Sequence, residues 1–490
     1  MSSMHAPRSL TLARSARITA LAVPAAVSLA LLTGTAAVVS VGLTKVSHDI
    51  YTDSQAQHRT EVEPDTFQAG ATIVSAFQVG RVPGGGSSNI GWATSTDGGA
   101  TWSHGYLPGI THNGSGHFGQ GSDAAVAYDA RHKVWLIASL GLNLPTVDVV
   151  ASRYTNGGLA WSKPVTVATG ENDKSWIVCD NTAASPHYGN CYTEWDNTGA
   201  GGLLSMSTSS NGGVSWGPAR SPGGDDLGVG GQPVVGPSGD VVVPYLSNSG
   251  QIRSFRSTNG GASWGSSVLV SNIQESGING GLRAPDLPSA AVDAAGTVYV
   301  AWSDCRFRAG CSSNDIVIAT SANGTTWAAP IRVPIDATSS TVDHFIPGLD
   351  ADRSTSGAHA RIGLTYYYYP KAACGSSACQ LDAGFISSVN GGASWSAPTR
   401  LAGPMKLSWL ANTSQGRMFG DYISTSVLPG GNAYPVLSVA KAPSGATFNQ
   451  AMYVPTGGLA ITGGSRAPSA AHVYHVTRRA GRPTVPLTVR

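Results

Sequence analysis

Charged and aromatic side chains recur near the predicted strand ends of this chain, and their types could do chemistry together. Arginine binds a carboxylate through paired hydrogen bonds, while carboxyl, phenol and imidazole groups can transfer protons. Such a mixture could form a site for a sugar or an anion. The residues concerned are Asp123, Lys174, Trp176, Glu194, Arg283, Asp304, Arg306, Arg308, His344, Tyr367, Arg417, Asp421 and Tyr422.

These residues also have a purely structural interpretation. Asp304, Arg306 and Arg308 could form an ion-pair cluster within one loop. Tyr367 lies in a run of four tyrosines, and alternate residues of a strand face opposite sides, so packing accounts for most of that run. Glu194, beside Trp195, could be a partly buried base or a carboxylate that is merely paired. Both interpretations therefore stay open for each residue.

A short motif that recurs six times indicates how these residues are positioned. The first copy contains Ser95, Asp97, Gly99 and Trp102. Asp-Gly or Asn-Gly between extended runs is a strong hairpin signal, because both residues tolerate positive φ and the Asp or Asn side chain can bond nearby backbone amides. We expect each tryptophan to pack between neighbouring sheets. The six tryptophans are Trp102, Trp161, Trp216, Trp264, Trp327 and Trp395.

A unit of four strands can be traced around each of these turns. The clearest unit predicts strands over 289–293, 297–302, 315–320 and 327–333, from alternation and β-branched residues. Comparable units start near Thr66, Asp123, Trp176, Gly230, Leu287, Phe345 and Asp421, and the last lacks the motif. Repeated four-stranded antiparallel sheets predict an all-β propeller over residues 66–455. We favour seven blades, with six as the alternative.

The propeller geometry predicts which loops share a face. Consecutive strands of a blade are antiparallel, so the turns between the third and fourth strands lie on one face. The loops between the second and third strands, and those between blades, lie on the opposite face. The candidate residues fall in this second set of loops, away from the repeated hairpins.

The motif pattern Ser-x-Asp-x-Gly-x-x-Trp resembles the Asp box, or bacterial neuraminidase repeat, of sialidase-superfamily propellers. The resemblance covers roughly residues 67–455. It implies an exo-alpha-sialidase-like site with a Tyr nucleophile, a neighbouring Glu, an acid/base Asp and an arginine cluster, without a cofactor or a metal. The residues that could be catalytic are Glu194, Tyr367, Asp123 and Tyr422. Those that could bind substrate are Arg283, Arg306, Arg308, Arg417, His344, Asp304, Asp421 and Trp176.

The sequence departs from that family pattern at its start. A Phe-Arg-Ile-Pro motif should precede the first Asp box, but residues 66–69 read Thr-Phe-Gln-Ala and no arginine lies between Phe67 and Arg81. Glutamate is also scarce. Two hypotheses follow: an exported propeller that acts on extracellular glycans, as an exo-glycoside hydrolase, or a non-catalytic propeller that binds glycans or proteins.

The N-terminal segment predicts export. Arg8, Arg14 and Arg17 precede 27 residues without a charge, 18–44, so residues 1–44 read as a signal peptide or as an uncleaved anchor. Residues 45–65 read as a polar linker and residues 456–490 as a tail. The protein is therefore expected to be secreted or anchored at the cell surface.

Cysteine spacing and net charge agree with this location. The six cysteines fall into close pairs, and an even number in an exported protein predicts disulfides. The pairs are Cys179 with Cys191, Cys305 with Cys311, and Cys374 with Cys379. A net charge of +2 gives no reason to expect nucleic-acid binding. We expect a monomer whose partner is a glycan.

Overall fold

A computed structural model describes residues 41–155 and 160–468, and within them the chain is all-β. Helix there is confined to single 3-10 turns, at His112–Gly114, Thr198–Ala200, Asn279–Gly281, Ala309–Cys311, Gly357–His359 and Leu407–Trp409. Strands follow one another in antiparallel order, as the alternating sequence pattern predicted. We refer to sets of consecutive partner strands as groups one to seven.

Strand β1 (Leu43–Lys45) precedes the first three groups. Group one contains β2 (Gln57–Ala69), β3 (Thr72–Arg81), β4 (Ser87–Ser95) and β5 (Ser103–Tyr106). Group two contains β6 (Gln120–Asp129), β7 (Val134–Asn143), β8 (Thr146–Thr155) and β9 (Val165–Ala168). Group three contains β10 (Asn172–Cys179), β11 (Cys191–Asn197) and β12 (Leu203–Ser209).

The remaining groups follow in chain order. Group four contains β13 (Gly228–Val229), β14 (Val234–Val235), β15 (Val241–Ser247), β16 (Gln251–Ser257) and β17 (Val268–Asn272). Group five contains β18 (Ser289–Val292), β19 (Val298–Asp304), β20 (Asp315–Ser321) and β21 (Ile331–Arg332). Group six contains β22 (Asp343–Ala351), β23 (Ile362–Tyr369), β24 (Gln380–Ser388) and β25 (Thr399–Lys406). A small hairpin, β26 (Ala411–Thr413) and β27 (Gly416–Met418), leads to group seven, which contains β28 (Ser424–Val427), β29 (Asn432–Ala440), β30 (Gln450–Pro455) and β31 (Leu459–Ala460).

The repeated motif forms turns held by the same side-chain contacts. In the first copy Ser95 Oγ accepts the Gly99 amide at 2.8 Å, and Asp97 Oδ1 accepts the Thr101 amide at 2.9 Å. Equivalent serine and asparagine contacts hold the copies at residues 209–215, 257–263, 321–326 and 388–394. The turn residues 156–159 of the second copy lie outside the described residues.

Hydrophobic clusters lie between neighbouring groups. Val242 of group four packs with Val298 of group five and with Trp327 of the repeated motif, and Trp395 lies in the corresponding cluster between groups five and six. Another cluster joins Phe77 of group one to Met452 of group seven. Group five contributes to a cluster on each side, so it buries apolar side chains on both of its faces.

The last group shows why the motif is missing there. Its strand β30 pairs with β1, so that Thr44 lies opposite Val454, and the edge position comes from the start of the chain. Group seven therefore does not need the motif hairpin, which in other groups leads from the third strand to the fourth, to supply its edge strand. The segment 45–65, which the sequence suggested to be a linker, contains the first nine residues of β2 and the buried Val46 and Ser47.

The cysteines form disulfides between the residues that the sequence paired: Cys179 with Cys191, Cys305 with Cys311, and Cys374 with Cys379. Such bonds are typical of extracellular proteins. In residues 41–155 and 160–468, helices long and apolar enough to cross a membrane are absent. The apolar run 18–44 lies almost entirely outside the described residues.

Removing β1 tests its contribution to the last group. We compare a chain that begins at Val41 with one that begins at Ser47. The shorter chain loses the β1–β30 ladder and the Val46 side chain, which is 1% exposed, and also the bond from the Val46 amide to Met452 O. We expect its free energy of unfolding to fall by about 2–4 kcal/mol, measured by urea denaturation. Equal stability of the two chains would contradict the edge-strand role.

Candidate functional site

The first strands of groups one, two and three each contain a bulge at the same relative position. The register shifts around Glu63 in β2, Asp123 in β6 and Lys174 in β10. These three residues have φ values of 55°, 44° and 50°, in the left-handed region. A non-glycine residue there costs about 1–2 kcal/mol, so its surroundings must hold it in place. The bulges redirect charged side chains that would otherwise follow the pleat.

Lys174 is where these side chains meet. Its Nζ lies 3.0 Å from Asp123 Oδ1, 3.3 Å from Glu63 Oε1 and 2.6 Å from Asp421 Oδ2. The partners come from groups one and two and from the segment that leads into group seven. All four side chains are at most 4% exposed. We call these four residues the Lys174 cluster.

Arginines complete the charge balance of the cluster. Arg283 donates from Nε to Asp421 Oδ1 at 2.6 Å and from a terminal nitrogen to the other carboxylate oxygen. Burial opposes ionisation of Asp421, but Arg283 and Lys174 outweigh it and hold the pKa of this carboxyl well below its usual range. The Arg283 amide bonds Arg417 O at 2.8 Å, so these two predicted residues are backbone neighbours. Arg81, 4% exposed, also interacts electrostatically with Glu63 and Asp421.

Acidic residues of group three extend the cluster. Asp173 pairs with Asp196 across β10 and β11, and Glu194 is two residues from Asp196 on the same face. Burial, followed by the neighbouring Asp123 charge, raises the pKa of Asp173 to about 7. Burial, followed by Asp196, raises the pKa of Glu194 well above its usual range. Both carboxyl oxygens of Glu194 are buried without a hydrogen-bond partner.

A cleft with aromatic walls adjoins Lys174. It is partly open to solvent. The rings of Trp176 and Tyr422 meet edge to face with centroids 5.0 Å apart, and Lys174 Nζ lies 5.5 Å from the centre of the Tyr422 ring. The cleft is lined by Lys174, Ser175, Trp176, Gly230, Gln232, Leu287, Pro288 and Tyr422. We call it the aromatic cleft.

Arg306 and Asp304 form an ion pair elsewhere. Arg306 Nε lies 2.8 Å from Asp304 Oδ1, and a terminal nitrogen lies 2.6 Å from Oδ2. The same arginine also donates to Ser271 Oγ and to Asn272 O. This contact agrees with the structural interpretation of Asp304 and Arg306 as an ion pair within one loop.

Arg308 is fully buried and its donors are all used. It donates to both oxygens of Asp315, at 2.5 and 3.0 Å, to Asp336 Oδ1 at 2.7 Å, and to the carbonyls of Ala337 and Ser340. These five bonds account for the five guanidinium hydrogens. Arg308 therefore has no donor left for a ligand in this conformation.

His344 and Tyr367 are also placed in the core. His344 is 1% exposed, with Nδ1 3.3 Å from Asn314 O, and burial lowers its pKa. Tyr367 is fully buried and donates to Ser438 O at 2.9 Å. Carboxylates of Asp315 and Asp336 lie near His344 in a group that could hold a metal ion, but both already pair with Arg308 and Arg332.

The structure thus brings together Asp123, Lys174, Arg283 and Asp421, and Glu194 is related to them through Asp196. Of these residues Lys174 lines the aromatic cleft, together with Trp176 and Tyr422. Sequence reasoning did not select four other members, Glu63, Arg81, Asp173 and Asp196. Glu63 stood in the segment expected to be a linker. Its signal is its place in the repeat, since Glu63, Asp123 and Lys174 each lie at the bulge in the first strand of successive groups.

Comparisons with known proteins were made for the whole chain. No family model matches it, and no curated protein matches it. It is similar to the leech intramolecular trans-sialidase at 14% identity, over 84% of this chain and 70% of that one, with a TM-score of 0.40. It is similar to the NanB sialidase from Streptococcus pneumoniae at 13% identity, over 84% and 70%, with a TM-score of 0.42. It is also similar to the alpha-L-arabinofuranosidase Arb93A from Fusarium graminearum at 12% identity, over 71% and 97%, with a TM-score of 0.43. Because these TM-scores lie below 0.5, the similarities carry no argument about what this chain binds or does.

Replacing Lys174 tests whether the cluster depends on its charge. Lys174→Met leaves Glu63, Asp123 and Asp421 without their shared cation. We expect a loss of about 3–5 kcal/mol in the free energy of unfolding, measured by urea denaturation at neutral pH, since unpaired buried charges are costly. Lys163→Met, at an exposed position, is the control and should match the wild type. A loss below about 1 kcal/mol would contradict the role assigned to Lys174.

Glu194→Gln tests the raised pKa of Glu194. Above the usual glutamate pKa of about 4.3 the unfolded chain releases this proton while the folded protein retains it, so the carboxyl reduces stability as pH rises. We expect the variant to resemble the wild type near pH 4 and to be more stable near pH 8, by thermal denaturation. Glu171→Gln, at an exposed position, should show the wild-type pH dependence. A Glu194→Gln variant less stable at pH 8 would show that the ionised carboxylate is needed.

Proposed function

We propose that the seven strand groups close into a seven-bladed propeller. Three observations support this: group seven packs against group one, β1 completes group seven, and Lys174 reaches partners from other groups. In addition, strands β2, β6, β10, β22 and β28 all contribute walls to one cavity. First strands that surround a single hollow are what a radial arrangement requires.

We further propose that the aromatic cleft binds one sugar unit of an extracellular glycan. The single observation behind this is the pairing of Trp176 with Tyr422 beside Lys174 and Gln232. Aromatic rings can cover the apolar C–H face of a sugar, while a few polar groups fix its orientation. The three ammonium hydrogens of Lys174 are used by Glu63, Asp123 and Asp421, so the amide of Gln232 supplies the donor at the cleft wall.

The charges of the site favour a neutral sugar. Arg283 is paired with Asp421, Arg306 with Asp304, and Arg308 with Asp315. An acidic sugar in the aromatic cleft would have to compete with these carboxylates for its cations. The disulfides and the apolar N-terminal run support an exported protein, which would meet glycans outside the cell.

Hydrolysis of the bound glycoside is the second candidate, favoured by the separation of carboxyl pKa values. Asp421 is held ionised by Arg283 and Lys174, whereas the pKa of Asp173 is about 7. Glycosidases commonly pair one carboxylic acid that protonates the leaving oxygen with one carboxylate. In this scheme Asp173 donates the proton and Asp421 acts as the carboxylate.

A glycan array followed by calorimetry tests binding. The purified protein should bind neutral terminal sugars, and Trp176→Ala should weaken the affinity by about tenfold or more because the ring covers the sugar face. Trp409→Ala is the matched control, because Trp409 is another partly exposed tryptophan beside a lysine, at 5.9 Å from Lys406 Nζ. It should retain the wild-type affinity. Binding that Trp176→Ala leaves unchanged would overturn the cleft assignment.

Fluorogenic neutral and sialic acid glycosides separate binding from hydrolysis. If the chain is a hydrolase, turnover is retained in Trp409→Ala and lost in Asp173→Asn. Glycan binding without turnover of any glycoside would leave the binding function and reject the catalytic one.

A further inference from the structure

A second hollow lies further along the same first strands. This central cavity is partly open to solvent, and it shares Trp176 and Gln232 with the aromatic cleft. Its walls include Asp65, Phe67, Asp350 and Arg353. Because its charged groups differ from those of the cleft, its ligand can be considered separately.

Arg353 is the cation of the central cavity. Its guanidinium lies over the Phe67 ring, 4.7 Å from the ring centre. Within residues 41–155 and 160–468 its side chain takes part in neither an ion pair nor a hydrogen bond, in contrast to the fully bonded Arg308. Arg353 is half-buried in the cavity wall, and burial lowers the pKa of its guanidinium. Five donors in a planar fork therefore remain available at the cavity wall.

The carboxyl groups of the cavity have other partners. Asp65 Oδ2 accepts the Val126 amide at 2.7 Å, and Asp350 Oδ2 accepts the Val427 amide at 2.8 Å. Neither carboxylate lies within ion-pair distance of Arg353. Gln232 accepts the Ala290 amide with its oxygen, which leaves its NH₂ group as a further donor at the cavity wall.

We propose that the central cavity binds a small oxyanion, a carboxylate or a sulfate group, through the guanidinium of Arg353 with help from the amide of Gln232. Two parallel N–H donors match two oxygens of a carboxylate, which is the geometry that arginine favours. Arg353 does not line the aromatic cleft, and oxyanion binding here does not depend on sugar binding there.

The cavity carboxyls make this binding depend on pH. Burial raises the pKa of Asp65 to about 7 and that of Asp350 to about 6. The next acid, Asp352, is occupied by Arg361 at 3.5 Å and by the Gly430 amide. Near pH 5 Asp65 and Asp350 are protonated and do not repel an anion. Near pH 8 both are ionised and compete with the ligand for Arg353.

Calorimetric titration with sodium acetate and sodium sulfate, against sodium chloride at equal ionic strength, tests the site. We expect saturable binding near pH 5 that weakens about tenfold or more near pH 8. Arg353→Gln should abolish it. Arg256→Gln is the control, because Arg256 is also half-buried and bonds only Asn323 O, and it should bind as the wild type does.

Several outcomes would overturn the proposal: no saturable heat near pH 5, equal binding by Arg353→Gln, or binding that strengthens toward pH 8. If Arg353→Gln does not fold, two other measurements test the site: Gln232→Leu should weaken oxyanion binding at pH 5, and the wild type should bind more weakly at pH 8 than at pH 5.

Glucuronate as a third probe identifies the source of the oxyanion. Tighter binding of glucuronate than of acetate indicates an acidic sugar, and equal binding indicates a free oxyanion. Failure of this site would leave Trp176-dependent sugar binding untouched, so the two proposals can fail separately.

Discussion

The interaction of Lys174 with three buried carboxylates is the constraint on which the centre of this molecule depends. One ammonium group holds Glu63, Asp123 and Asp421 within 3.3 Å, and these residues come from distant parts of the chain. Moving any of them into the interior alone would be costly, so the partners must be positioned together. The left-handed bulges of the first strands provide this positioning, because each turns one charged side chain toward the others.

The repeated turns and the two hollows lie in different parts of the strand groups. The repeated serine and asparagine turns and their tryptophans hold neighbouring groups together, and they lie at the ends of strands away from Lys174. The aromatic cleft and the central cavity lie along the first strands instead. Trp176 and Gln232 belong to both hollows, so a ligand in one shares walls with a ligand in the other.

The local parts of this structure could be predicted from the sequence, and the long-range parts could not. Asp97 and its asparagine counterparts specify hairpins through contacts four residues away, and the disulfide pairs are close in sequence. Arg308 looked like a ligand clamp because its partner Asp336 lies 28 residues away and no pattern joins the two. The roles of Glu63 and β1 could not be predicted from the polar and N-terminal sequence around them. Both roles depend on contacts with group seven or with the segment that leads into it, at the other end of the chain.

The most direct test of the central claim is a crystal structure of the protein soaked with a neutral monosaccharide such as galactose. We expect sugar density against the rings of Trp176 and Tyr422, with a hydroxyl within hydrogen-bonding distance of Gln232 and with the Lys174 cluster intact. Sugar bound elsewhere on the molecule, with the aromatic cleft empty, would contradict it.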